Sequence, residues 1–222
     1  MYGRLLAELA ADRVAIAPDT PGFGESDAPP TPPEIADYAA AMGDLIDGLR
    51  LGPIDLLGYH TGSMIALELA RQRPRQVRRV AVISAPVYTA QEREEFFQVY
   101  GAKQLEDDGR HLKHAWDAHN RWRSADATDI FIHREIVESL RGGNKTWWGH
   151  RAAGNYSLAE ALPAVAQPLL VLCPEDDIYE QTLRAPVYLG ERGRLLELPD
   201  WGGHGMLEMH TSEFAHVLRF FF

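Results

Sequence analysis

The sequence predicts an α/β fold: a mostly parallel sheet with helices on both faces, plus a helical insertion. Short apolar runs bounded by Gly and Pro alternate with longer segments of helical period. The runs are almost continuous in Val, Ile and Leu, as strands buried on both faces require. One long aromatic stretch breaks the alternation, which sets it apart from the sheet.

Five runs are candidate strands: RVAIAP (Arg13 to Pro18), PIDLLG (Pro53 to Gly58), VRRVAVIS (Val77 to Ser84), PLLVLCP (Pro168 to Pro174) and GRLLELP (Gly193 to Pro199). Between the first two, Ile35, Tyr38, Ala39, Met42, Leu45, Ile46 and Leu49 recur at helical spacing. Thr31 and Glu34 are expected to form a capping box, with Pro32 at the first helical position. A second helix is expected from Gly62 to Pro74, with the small residues Gly62 and Ala66 letting it pass close to the sheet. The stretch from Val87 to about Leu162 is mostly helical in composition and holds Phe96, Phe97, Tyr100, Trp116, Trp122, Phe131, Trp147, Trp148 and Tyr156. It reads as a cap over the strand ends, most of its aromatics forming a small core of its own. The expected organisation is a core of residues 1–86 and 163–222 with a cap of residues 87–162.

At 222 residues and 45% hydrophobic content, the chain can bury one sizeable core. Its formal charge of -10 argues against binding nucleic acid or an anionic membrane, since phosphate affinity needs a positive stripe. The one basic cluster, RQRPRQVRR from Arg71 to Arg79, reads as a solvated helix end and loop. Cys173 is alone, which excludes an internal disulfide and suits a reducing compartment. No apolar run approaches the roughly 20 residues that span a bilayer, and the amino terminus lacks the pattern of a secretory signal. The expected protein is cytoplasmic, a monomer or homodimer, with a small-molecule substrate and no cofactor or resident metal.

The chemistry is concentrated in a few stretches. GYHTG, Gly58 to Gly62, has the spacing of the strained strand-to-helix turn G-x-S-x-G, with histidine at its apex. APDTPGFGESD (Ala17 to Asp27) resembles a D-x-P-G-F-G-x-S loop. PLLVLCPEDD ends a strand in carboxylates, and LPDWGGHGMLE sets His204 between glycines. In this order the four motifs resemble the α/β-hydrolase superfamily, in particular its capped esterase, haloalkane dehalogenase and epoxide hydrolase branch. The resemblance runs from about Met1 to Phe222. It also makes MYGRLLAELAADRVAIAPD similar to the family's first helix and fourth strand. On that basis the first three strands and the loop supplying the second oxyanion amide are expected upstream of Met1, the chain being a fragment or beginning at an internal methionine.

Carried over residue by residue, the resemblance implies His60 at the nucleophile position, Asp177 at the acid position and His204 as the base. Asp177 is preferred to Asp176 because the family's acid follows a glycine by three residues, and Pro174 holds that glycine's place. Thr61 supplies the first oxyanion amide, and Tyr59, Trp147 and Trp148 are pocket candidates. Ser63 and Thr61 read as helix-start residues rather than replacement nucleophiles. His111, His114 and His119 read as part of a solvated cap helix.

Three chemistries are open to His60. A neutral imidazole can attack an acyl group, with His204 and Asp177 hydrolysing the acyl-imidazole. Alternatively His60 and His204 form a two-histidine acid-base site that titrates as a coupled pair. Thirdly, His60, His204 and Asp177 make a two-histidine, one-carboxylate ligand set for a metal. The expected activity is hydrolysis of an ester, amide-like or carbon-carbon bond in a small to medium, largely apolar substrate. The rival from another class is a catalytically silent protein that keeps the pocket and binds a ligand.

Overall fold

Four of the five predicted strands assemble into one parallel sheet in the computed structural model, which describes residues 2–101 and 106–222. They are β1 (Ile54–Tyr59), β2 (Val77–Ile83), β3 (Leu169–Pro174) and β4 (Gly193–Leu198), lying side by side in chain order. Successive strand residues face opposite sides of a sheet. Here each side has its own core: Val80, Val82, Leu169 and Val171 join one, and Ala81, Ile83, Leu170 and Leu172 join the other. This is why β3 reads as an unbroken apolar run, every residue of it being buried.

The helices follow in chain order as α1 (Gly3–Leu9), α2 (Ile35–Gly48), α3 (Thr61–Gln72), α4 (Ala90–Tyr100), α5 (Arg110–Arg121), α6 (Asp129–Arg141), α7 (Trp147–Asn155), α8 (Leu158–Ala164), α9 (Tyr179–Thr182), α10 (Met206–Met209) and α11 (Thr211–Phe221). Through Tyr38, Leu67 and Leu162, α2, α3 and α8 cover the first face. Through Leu5, Met206 and Phe214, α1, α10 and α11 cover the second. Fully buried side chains such as Leu67, Leu172 and Leu218 each contribute roughly 1.5–3 kcal/mol of transfer free energy.

Two local expectations are corrected. Arg13 to Pro18 is extended but joins no strand ladder among the described residues; Val14 is 87% and Ile16 48% exposed. With no partner chain alongside, its backbone groups are left to solvent. The capping box lies three residues later than expected: Glu34 is the N-cap of α2 and pairs reciprocally with Asp37. The cause is Pro33, which disfavours helical backbone at Pro32, just as Pro32 does at Thr31.

Helices α4 to α8 all lie between β2 and β3. Only part of this stretch has a separate core, made by Ala127, Phe131 and Ile132 with Trp116 and Ile136 packed on it. Ala152, Ala153, Leu158, Ala161 and Leu162 join the main sheet core instead. The basic cluster is largely neutralised, Arg71 by Glu68, Arg73 by Asp47 and Arg78 by Asp55. No helix among the described residues is long and apolar enough to cross a membrane.

Candidate active site

The turn between β1 and α3 holds its apex residue in an unusual conformation. His60 has φ 50° and ψ -117°, a region that a side chain other than hydrogen disfavours. The turn closes because Gly58 has no Cβ: one placed there would lie 2.3 Å from the Gly62 carbonyl oxygen and 2.7 Å from the Ser63 Cα. Gly62 has a different environment from the one expected, since a Cβ on it would meet nothing within 4 Å. Close passage of α3 is therefore secured by Gly58. Ser63 is fully buried and donates its hydroxyl to the Ile83 carbonyl at 2.8 Å, which removes it from any reaction and ties α3 to β2.

Across the strand ends, the imidazole of His60 meets two carboxylates. Its Nε2 lies 3.0 Å from Asp176 Oδ2 and 3.8 Å from Asp177 Oδ1. A carboxylate only accepts, so Nε2 carries the proton in the hydrogen bond to Asp176. Asp176 is buried and also accepts from Ser84 Oγ at 2.5 Å and from the Ile178 amide at 3.1 Å. Ser84, at the end of β2, has φ 62°, so a second strained residue points to the same place. Asp177 accepts from the Tyr100 hydroxyl at 3.3 Å, and the Tyr100 ring stacks on His150 with centroids 4.7 Å apart.

His204 comes from the carboxyl-terminal loop. Gly203 (φ 80°) and Gly205 (φ 103°) flank it in left-handed conformations, and a Cβ on Gly203 would strike the Trp122 carbonyl. The bend lets the loop hydrogen-bond to the segment after α5: His204 N donates to Trp122 O, and Ser124 N donates to His204 O. Among the described residues, no carboxylate hydrogen-bonds or ion-pairs with the His204 ring. Its ring neighbour is His119, at 5.4 Å between centroids. His119 Nδ1 donates to the Ala115 carbonyl at 2.8 Å, which leaves its Nε2 unprotonated in the neutral ring.

The two imidazoles are pulled in opposite directions. Burial works to lower the His60 pKa, but the Asp176 hydrogen bond and the charges of Asp176 and Asp177 outweigh it, so the pKa ends above its ordinary value. Burial and the neighbouring His119 and His60 hold His204 below its ordinary value, against the opposing charges of Asp177 and Asp176. The turn imidazole is therefore the easier of the two to protonate and the loop imidazole the harder.

A family model described as "Alpha/beta hydrolase family" matches residues 1–217. The chain belongs to the alpha/beta hydrolase family. Among solved structures, it is similar to a hydrolase from Pseudomonas aeruginosa PA01 (TM-score 0.79, 20% identity, 98% of this chain and 83% of that one). It is equally similar to an esterase from Exiguobacterium antarcticum (TM-score 0.79, 19% identity, 99% and 85%). Among curated proteins, 2-hydroxymuconate semialdehyde hydrolase from Pseudomonas sp. (strain CF600) is 37% identical over 83 residues, 36% of this chain and 29% of that protein. The first curated relative, an uncharacterised Mycobacterium bovis protein, is 37% identical over 79 residues and is covered over only 23% of its length.

Of the residues singled out in the sequence of this family member, His60, Asp177 and His204 come to the same end of the sheet. The carboxylates are distributed differently from the expectation, because the residue bonded to an imidazole is Asp176, and the imidazole is that of His60. The turn after Pro174 explains this: Asp176 N donates to the Pro174 carbonyl, which curls Asp176 inward beneath Ser84, while Tyr100 holds Asp177. Tyr59 packs its ring on His60 at 4.1 Å between centroids, and Thr61 places its amide in the first turn of α3, where the helix leaves donors free. Trp148 is engaged by Lys145, 5.2 Å from its ring. Trp147 opens α7, which leans through Gly149 on Phe23 of the loop after Ala17. Ser84, Tyr100 and His119 were not anticipated as site residues. Ser84 had a signal in the sequence, since it ends a parallel strand, where such sheets carry their chemistry. A cavity of about 340 Å³ lined by Arg79, Pro168 and Arg194 lies near the opposite, amino-terminal ends of the strands, away from His60.

Proposed function

We propose that the protein is a hydrolase of small to medium, largely apolar esters, amide-like compounds or carbon-carbon bonded substrates, working through paired imidazoles. The carrying observation is that, among the described residues, the carboxylate hydrogen bond belongs to His60 and none reaches the His204 ring. Groups whose environments push their pKa values apart take acid and base roles. His204 is the base: as neutral imidazole it takes a proton from water as the water attacks the carbonyl carbon. His60 is the acid: Asp176 holds its Nε2–H, and the remaining Nδ1–H of the imidazolium goes to the leaving group. The Thr61 amide, at the positive end of α3, stabilises the oxyanion formed in between. Asp177 adds negative charge beside His60 and keeps it protonated. In this reading no covalent intermediate on His60 is formed, since an imidazolium has no lone pair to attack with. Tyr59 supplies an apolar wall to the pocket, together with Trp147 and Trp148.

Hydrolysis of short-chain p-nitrophenyl esters, followed by absorbance, tests the proposal. Both His60→Ala and His204→Gln are expected to lower kcat by about 100-fold or more, the usual contribution of a positioned acid or base. A rate that neither substitution lowers favours the catalytically silent, ligand-binding protein.

A further inference from the structure

We propose that His60, Asp176 and Asp177 also form a binding site for a divalent transition cation of the zinc class. One ligand atom from each of the three residues falls within 4.8 Å of the other two. Zinc bonded at about 2.1 Å to nitrogen and oxygen holds a tetrahedral pair of ligands about 3.4 Å apart. His60 Nε2 stands 3.0 Å from Asp176 Oδ2 and 3.8 Å from Asp177 Oδ1, on either side of that spacing.

The two carboxylates are also held in place by hydrogen bonds from outside the trio. Asp176 is anchored by the Ile178 amide on Oδ1 and by Ser84 Oγ on Oδ2, the oxygen that faces His60. Asp177 receives the Tyr100 hydroxyl on Oδ2, which leaves Oδ1, the oxygen nearer His60, available to the cation. The side chains of His60 and Asp177 are 28% and 17% exposed, so the cluster is reached from solvent. A neutral imidazole and two carboxylates carry a charge of -2, which a divalent cation balances. On binding, Nε2 gives up to water the proton it shares with Asp176, and its lone pair turns to the metal. This ligand set replaces the His60, His204 and Asp177 trio suggested by the sequence, with a second carboxylate where that trio has His204.

Occupancy takes the His60 Nε2 lone pair and its place beside Asp176, and so blocks the part given to His60 in the proposed chemistry; this consequence rests on the reading above, whereas binding does not. Isothermal titration calorimetry of the chelator-treated chain with zinc chloride tests binding directly. One saturable site is expected, with a Kd in the micromolar range or below. His60→Ala and Asp177→Asn should each weaken it at least tenfold. His204→Gln and a His111→Ala/His114→Ala variant should leave it within threefold. Asp177→Asn keeps a partner for Tyr100 and leaves the Asp176 anchor untouched, so it reports on binding rather than on folding. No saturable binding up to millimolar zinc, or affinity unchanged by both His60→Ala and Asp177→Asn, overturns the proposal. Zinc binding by a chain inactive toward every ester sustains the site and counts against the hydrolase reading alone.

Discussion

The Nε2 of His60 sits 3.0 Å from Asp176 Oδ2, so the residue at the apex of the turn between β1 and α3 is held by a carboxylate as a base histidine ordinarily would be. This contact, with the charges of Asp176 and Asp177, raises the His60 pKa, while burial and His119 lower that of His204.

The first prediction concerns pH. On the proposed reading His204, with its pKa lowered, acts as neutral base, and His60, with its pKa raised, acts as protonated acid. The kcat/KM profile is therefore expected to be bell-shaped, with an acid limb below and an alkaline limb above the ordinary histidine value of about 6.5. Asp177→Asn removes one of the charges that favour imidazolium and should move the alkaline limb downward. A profile that rises monotonically through neutrality would show that His60 acts in its neutral form.

Histidine titration also bears on stability. The raised His60 pKa adds stability that is fully present below about 6.5 and is lost as pH rises through the folded value. The lowered His204 pKa works in the opposite sense, costing stability as pH falls from about 6.5 through its folded value. Replacing His60 should thus flatten the alkaline side of a stability-pH curve, and replacing His204 the acid side, as read by urea denaturation.

Backbone strain at the apex has a separable signature. His60→Ala and His60→Gly both delete the imidazole, but only glycine relieves φ 50°. The glycine variant should be more stable than the alanine variant by about 1 kcal/mol or more, reversing their usual order in ordered structure. Chemical denaturation of the pair measures the difference, and equal stabilities would mean that the turn relaxes in solution.

The two turn glycines should respond differently to the same change. Gly58→Ala forces a methyl into the Gly62 carbonyl and should cost about 3 kcal/mol or more, or prevent folding. Gly62→Ala meets open space and should add a few tenths to about 1 kcal/mol through helix propensity in α3. Thermal melts of both variants test this pair.

Burial predicts which carboxylate matters more to folding. Asp176 is 5% exposed and takes hydrogen bonds from Ser84, His60 and Ile178, whereas Asp177 takes one from Tyr100. Asp176→Ala should destabilise by several kcal/mol because it strands a buried hydroxyl and an amide, each costing about 1–3 kcal/mol. Asp177→Ala should cost less than about 1 kcal/mol, a surface-type loss. A double-mutant cycle of Ser84→Ala with Asp176→Asn measures the coupling within the pair.

The sheet was legible because β3 and most of β2 are buried on both faces and read as apolar runs, and β1 and β4 carry shorter runs between Gly and Pro. Arg13 to Pro18 has the same composition and forms no strand, since a strand exists only with a neighbour and composition does not supply one. The positions of His60 and His204 were legible from glycine spacing. The choice between Asp176 and Asp177 was not, because it depends on how the Pro174 turn curls and on Ser84 and Tyr100, residues 92 and 77 positions away. Long-range partners of this kind leave no local pattern.

The distances along the chain between the groups around Asp176 have a consequence for the order of events during synthesis. His60 and Asp176 are 116 positions apart, and His204 is fixed by residues after α5. A growing polypeptide that has completed β1 and α3 displays an imidazole with no counter-charge and no companion ring. The proposed acid-base pair is therefore assembled only when the final third of the chain docks, and a half-made molecule lacks it.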